Sequence, residues 1–194
     1  MSAPRRFSQA ISEGDGISLI ARVQDADGAA LVEAHGADAL LVSSGLGDAL
    51  AIRGETSLPI VAQWAGNQPS DLSGVDACIV PVSTERELLD RIYGGARDEL
   101  EIAFWIDDEE HLESALEDFD PEIFILAAPD LAEEEALERV LDLLPDVPAG
   151  KLAIADLPDS DADDVAALER AGFDGVIVDP QRVAHLAAAE PPEV

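Results

Sequence analysis

Cys78 is the only cysteine among 194 residues, which excludes a disulfide within the chain and any cysteine-cluster zinc site. Lysine is as scarce: of 11 cationic side chains, all but Lys151 are Arg. Aromatic residues make up 4% of the chain. No apolar run approaches the roughly 18 residues of a membrane-spanning helix. The stretch from Met1 to Ile11 has two Arg but no apolar core, so it does not read as a secretory signal. Cations as a class are outnumbered, 11 Lys and Arg against 42 Asp and Glu, for a formal net charge of −31. A surface of that sign repels nucleic acid phosphates and anionic membranes, and neither is expected as a partner. A cytoplasmic location is expected.

What is present is the apolar content of an ordinary folded domain, 47% of residues, enough for one sizeable core. The acids cluster where helix surfaces are expected: Asp107 to Glu110, Glu133 to Glu135 and Asp159 to Asp164. They read as solvated faces. Near-absence of Lys with abundant Asp and Glu also fits adaptation to a high-salt cytoplasm, where ions screen self-repulsion. A GC-rich coding sequence would account for the Arg and Ala equally.

Short apolar runs alternate with helical stretches. Strands are expected at 18–23, 39–43, 60–63, 77–81, 101–105, 123–127, 152–156 and 175–178. Helices are expected at 27–35, 46–53, 85–93, 109–118, 131–144, 161–171 and 180–188, with barely a turn near 70–72. An internal repeat runs through the set. Gly36-Ala-Asp38-Ala-Leu-Leu-Val42 recurs as Gly74-Val-Asp76-Ala-Cys-Ile-Val80 and as Gly172-Phe-Asp174-Gly-Val-Ile-Val178. A looser copy is Asp120-Pro-Glu-Ile-Phe-Ile-Leu126. In each, a Gly ends a helix and a short loop feeds a strand. The strands are continuous apolar runs, as expected of parallel strands covered on both faces. Eight alternations predict an α/β fold, a compact single-domain (βα)8 TIM barrel, with an open doubly wound sheet as the alternative. Residues 1–16 form its lead-in, 17–188 the barrel and 189–194 an acidic, Pro-containing tail.

Several stretches resemble the indole-3-glycerol phosphate synthase family of phosphate-binding barrels. Phe7-Ser-Gln-Ala-Ile and Ile17-Ser-Leu-Ile-Ala-Arg-Val23 resemble its lead-in and first strand. Phe124-Ile-Leu-Ala-Ala-Pro-Asp130-Leu131 resembles its sixth strand. Ile154-Ala-Asp156-Leu-Pro-Asp-Ser-Asp-Ala-Asp163-Asp164-Val165 and Gly172-Phe-Asp174 with Val176-Ile-Val178 resemble its seventh and eighth. The resemblance implies decarboxylation and ring closure of an anthranilate-ribulose phosphate, driven by Lys acids, a carboxylate, and glycine-rich phosphate loops. At the matching positions the two Lys read Gln24 and Gln63, and the strand-five Glu reads Trp105. An Asn pair reads Ala127 and Ala128, and the strand-seven Glu reads Asp156. The phosphate loops read Leu157, Pro158 and Asp179. The frame is retained while most of the chemistry is replaced.

The remaining catalytic candidate is Asp156. The ligand-binding candidates at strand ends are Arg22, Gln24, Ser43, Ser44, Gln63, Trp105, Asp179 and Arg182. Asp107, Asp130 and Asp179 read as helix caps, with a Mg²⁺ site built from rim Asp as the alternative. Arg22 and Arg182 read as partners of neighbouring Asp, or as anion ligands. Trp64 and Trp105 read as plugs or as an aromatic wall. His35, His111 and His185 fall on helices rather than strand ends, which argues against a general base. Cys78 reads as a core residue, and Gly94-Gly95 as a helix-ending turn. No cofactor and no metal is expected, a small-molecule ligand is the expected partner, and the oligomeric state is not legible. Three functions follow: a barrel repurposed for binding or interaction, a divergent synthase-type lyase, and another lyase or Mg²⁺-assisted enzyme using rim Asp.

Overall fold

The computed structural model describes residues 5–14, 16–42, 46–64, 74–84, 86–96 and 100–188. Eight parallel strands close into a barrel in sequence order: β1 Ser18–Val23, β2 Ala39–Val42, β3 Ile60–Gln63, β4 Ala77–Pro81, β5 Glu101–Ile106, β6 Ile123–Ala127, β7 Leu152–Asp156 and β8 Gly175–Val178. β1 pairs with both β2 and β8, which rules out the open sheet. The helices are α1 Arg6–Ser12, α2 Ala26–Ala34, α3 Leu46–Glu55, α4 Arg86–Ala96, α5 Glu109–Asp118, α6 Glu133–Leu143, α7 Ala162–Ala171 and α8 Pro180–Ala187. A 3₁₀ turn, Leu144–Asp146, follows α6. The turn expected near 70–72 and the tail from 189 lie outside the described residues. Among the described residues no helix is long and apolar enough to cross a membrane.

Two departures from expectation are the largest. The lead-in forms α1, whose Phe7 and Ile11 are one turn apart and both buried in the barrel interior beside Ile20, Leu41 and Ile125. The Glu101 carboxylate accepts the backbone N–H of Phe7 at 2.8 Å and of Ser8 at 3.1 Å, satisfying two of the helix's orphan donors. α1 therefore closes the N-terminal end of the barrel. The second difference is α4, which runs through Gly94 and Gly95 to Ala96 instead of ending before them.

Strand side chains alternate between two buried layers. Ile20, Leu41, Val61, Ile79, Ala103, Ile125, Ile154 and Ile177 point inward, while neighbours such as Ala21, Leu40, Val80 and Phe104 pack under the helices. Cys78 belongs to the outer layer and is fully buried; loss of water pushes its thiol up to about 12.

The repeat has a structural cause beyond its glycines. Gly36, Gly74 and Gly172 take φ of +97°, +91° and +105°, where a side chain would be strained. Two residues later each Asp reaches across to the preceding strand. Asp38 accepts the N–H of Leu19 in β1, Asp76 that of Ile60 just at β3, and Asp174 that of Ala153 in β7, each at 2.8 Å. These three latches occupy the N-terminal face. In the looser copy Asp120 takes the left-handed place of the Gly, with φ +47°. There Lys151 lies 3.0 Å from Asp120 and 3.1 Å from Glu122, in place of the latch.

Charge is segregated around the barrel. Residues 1–74, which build α1 to β3, hold nine acidic and four basic side chains, a net −5. Residues 75–194 hold thirty-three and seven, a net −26.

Candidate functional site

The C-terminal ends of the strands form the mouth of the barrel. The period of two carries Arg22 inward after Ile20, Asp156 after Ile154 and Trp105 after Ala103. There the three side chains meet. Arg22 Nη2 forms an ion pair with Asp156 Oδ1, and Trp105 Nε1 donates to Asp156 Oδ2 at 3.3 Å. The pair is largely enclosed, with side-chain exposures of 27% for Arg22 and 12% for Asp156. Arg22 grips through Nη2 alone; its Nε is enclosed and makes no hydrogen bond.

Beside this trio opens a cavity of about 540 Å³, bounded by the ends of β6, β7 and β8 and the first turns of α6 and α7. Its apolar part includes Ala127, Ala128, Leu137 and Leu157. Leu131, at its edge, is 45% exposed. Its polar part includes Asp156, Asp159, Asp164, Asp179 and Glu133, with Arg22 as the one cation among the described residues. A second cavity, about 570 Å³, lies at the other end of the barrel beside α1 and Glu101. It borders the seat of that helix, away from the strand ends where barrels carry their chemistry.

In the loops that resemble phosphate loops, three amides are already used within the protein. The N–H of Leu157 donates to Ile177 O at 3.2 Å, that of Ser160 to Leu157 O at 3.2 Å, and that of Asp179 to Pro158 O at 2.9 Å. Pro158 and Pro180 have no N–H to give.

Of the residues singled out in the sequence, Arg22, Trp105, Asp156 and Asp179 line the cavity. Gln24 and Gln63 are exposed at the ends of β1 and β3, outside it. Arg182 stands on the first turn of α8 and does not line it. Ser43 and Ser44 lie outside the described residues. Trp64 is no plug: it packs against the helix-side layer, and its Nε1 is enclosed without a hydrogen bond.

The capping assignments need correction. Asp107 is not the cap of α5; Asp108 is, accepting the N–H of His111 at 2.7 Å. Asp107 instead binds His111 Nδ1 at 2.6 Å, and that hydrogen bond raises the His111 pKa above its ordinary value. Asp130 is not the cap of α6, where the position falls to Ala132. Asp179 holds the cap position of α8, but its side chain makes no capping bond. Among the described residues the side-chain caps are Asp25, Asp108 and Asp161, the last in a capping box with Asp164.

A rim metal site from Asp107, Asp130, Asp156 and Asp179 is not assembled, since only Asp156 and Asp179 border the same cavity. Among the described residues, one group brings three metal-binding side chains within 4.8 Å: Asp107, Asp108 and His111, all partly exposed. Two of its carboxylate contacts are already used within α5 and its cap.

Sequence reasoning missed the α6 side of the cavity, Leu131, Glu133 and Leu137. The signal was the same apolar spacing that marked α6 as a helix, and it does not distinguish a core face from a cavity wall. Fold and mouth together define a (βα)8 barrel with an apolar, acid-rimmed pocket. Compared with family models and with curated proteins, the sequence matches none.

Proposed function

We propose that this chain is a cytoplasmic barrel of indole-3-glycerol phosphate synthase ancestry that has lost synthase chemistry and binds a small organic molecule at its mouth. The observation that carries this reading is the ion pair between Arg22 and Asp156. It occupies the carboxylate that matches a family acid–base position and the one cation that the described residues bring to the cavity wall. Both oxygens of Asp156 are engaged, one by Arg22 and one by Trp105, so the carboxylate is tied to the wall rather than presented to a ligand. No Lys precedes Lys151, and Lys151 sits at the N-terminal end of β7, so no ammonium group replaces the missing acids. Removing one oxyanion-type donor typically costs about 10²–10³ in rate, and several are replaced together. The cavity itself has the volume of a small-ligand site.

The test is a coupled assay for conversion of the anthranilate-ribulose phosphate to indole-glycerol phosphate at high salt, beside an authentic synthase. No turnover is expected, and inorganic phosphate is expected to leave the melting temperature unchanged. Turnover that disappears in Asp156→Ala would overturn the proposal.

A further inference from the structure

The cavity's polar wall selects a class of ligand, an inference that rests on the binding role proposed above. Among the described residues Arg22 is the only cation in the wall, and Asp156 already pairs with it. Asp164 is committed in part, since its carboxylate accepts the N–H of Asp161 at 3.0 Å. Three carboxylates remain. Asp159, Asp179 and Glu133 make no side-chain hydrogen bond or ion pair among the described residues. Asp159 and Glu133 are exposed at the rim, and Asp179 is half-buried at the end of β8. The same cavity has an apolar part: Ala127, Ala128 and Leu157 are buried, and Leu131 is left uncovered. Trp105, whose ring is aligned by its bond to Asp156, adds an aromatic wall.

An anionic ligand would meet these acids with nothing to offset them. A neutral ligand would fill the apolar part and leave the carboxylates solvated as before. A ligand that joins an apolar body to an ammonium group satisfies both walls at once. Its body covers Leu131 and Leu157, and its N–H groups donate to Asp179 and Asp159. Hydrogen bonds between charged partners are roughly twice as strong as neutral ones, and a Trp face favours cations. We infer that the cavity at β6–β8 binds an apolar organic amine in its protonated form.

The experiment is titration calorimetry of the full chain in 1 M KCl, where general attraction to an acidic surface is screened. The probes are matched triads with one apolar body and three heads: 4-phenylbutylamine, 4-phenylbutanol and 4-phenylbutyrate, then the cyclohexylbutyl series. The amine is expected to bind at least about tenfold more tightly than the alcohol, one charge-assisted hydrogen bond's worth, and the carboxylate not at all. Asp159→Asn with Asp179→Asn is expected to erase the amine's advantage while leaving the alcohol's affinity in place. Glu113→Gln with Glu117→Gln, on the exposed side of α5, changes net charge equally and is expected to leave the advantage intact. Equal binding of amine and alcohol would overturn the ligand class and keep the pocket. An amine advantage that survives Asp159→Asn with Asp179→Asn would overturn the assigned site. Tightest binding by the carboxylate, or no binding of any probe, would overturn both the amine class and the binding role.

Discussion

Arg22 of β1 and Asp156 of β7 are joined across the intervening β8, so the mouth of the barrel is tied by a contact that skips a strand. Asp156 stands beside Ile177 of β8, and Arg22 reaches past that strand to meet it.

The tie should be visible in stability. Asp156→Ala leaves a largely enclosed guanidinium without its counter-charge and is expected to lower the unfolding free energy by about 1–3 kcal/mol. Replacing both partners, Arg22→Met with Asp156→Leu, is expected to restore most of that loss, because neither charge is then left unpaired. Denaturant midpoints of the single and double variants measure the coupling; strictly additive losses would show that the two residues do not act together.

The latches divide acceptor from charge. Asp174→Ala orphans the N–H of Ala153 and is expected to cost about 1–3 kcal/mol. Asp174→Asn keeps an oxygen there and removes a carboxylate whose pKa burial raises. A carboxyl with a raised native pKa binds its proton in the folded state before the unfolded one. Stability therefore increases as pH falls through the native value, and the neutral-pH penalty is gone below the ordinary range of Asp. Asp174→Asn is thus expected to match or exceed the wild type at pH 7, and to lose that advantage near pH 4. Asp38, raised by burial in the same way, is expected to follow. Melts of the Asn and Ala variants at both pH values decide it.

His111 has a dependence of the same sign, but from an attraction gained rather than a burial penalty. Its hydrogen bond to Asp107 raises its pKa, against desolvation and with help from the charges of Asp108, Asp107 and Glu110. The resulting stability is complete below the ordinary histidine pKa of about 6.5 and is lost as pH rises through the native value. With both side chains about one-third exposed, solvent limits the pair to less than about 1 kcal/mol. The gap in melting temperature between wild type and His111→Gln is expected to be largest at pH 5.5 and to close by pH 9.

Salt should stabilise the whole molecule. Self-repulsion among 31 net negative charges weakens as ions screen it, and adaptation to a saline cytoplasm requires that this gain persist at molar KCl. Each kcal/mol of relieved repulsion moves the midpoint of a domain this size by about 2–4 °C. Thermal melts from 0.05 to 2 M KCl are expected to rise throughout; a flat curve would reject the adaptation.

Strands were legible because parallel strands buried on both faces write themselves as unbroken apolar runs, and seven of the eight described strands lie within one residue of expectation while β2, expected to 43, ends where description does at Val42. α1 was not, because seven residues with two apolar positions give too short a period to read. Placing Arg22 and Asp156 at strand ends was within reach of the sequence. Their pairing was not, since 134 residues separate them and only barrel closure brings β1 beside β8. The repeated Asp were visible as a pattern and opaque in purpose, because their partners are backbone amides one strand away. The cap of α5 was misplaced by one residue for a related reason: Asp107 and Asp108 are chemically alike, and the backbone turn alone decides which faces the helix and which faces His111.

The latches also set where this barrel can be cut. Asp38 fastens β2 to β1, Asp76 fastens β4 to β3, and Asp174 fastens β8 to β7. The smallest piece carrying its own fastening is thus a pair of strands with the segment that joins them, a quarter of the ring. Seams after β2, β4 and β6 leave every fastening whole, whereas seams after β1, β3 and β7 sever one. A gene divided after β4 yields a first half with two fastenings and a second with one. For splitting, permuting or duplicating this chain, the even-numbered strands mark the natural joints.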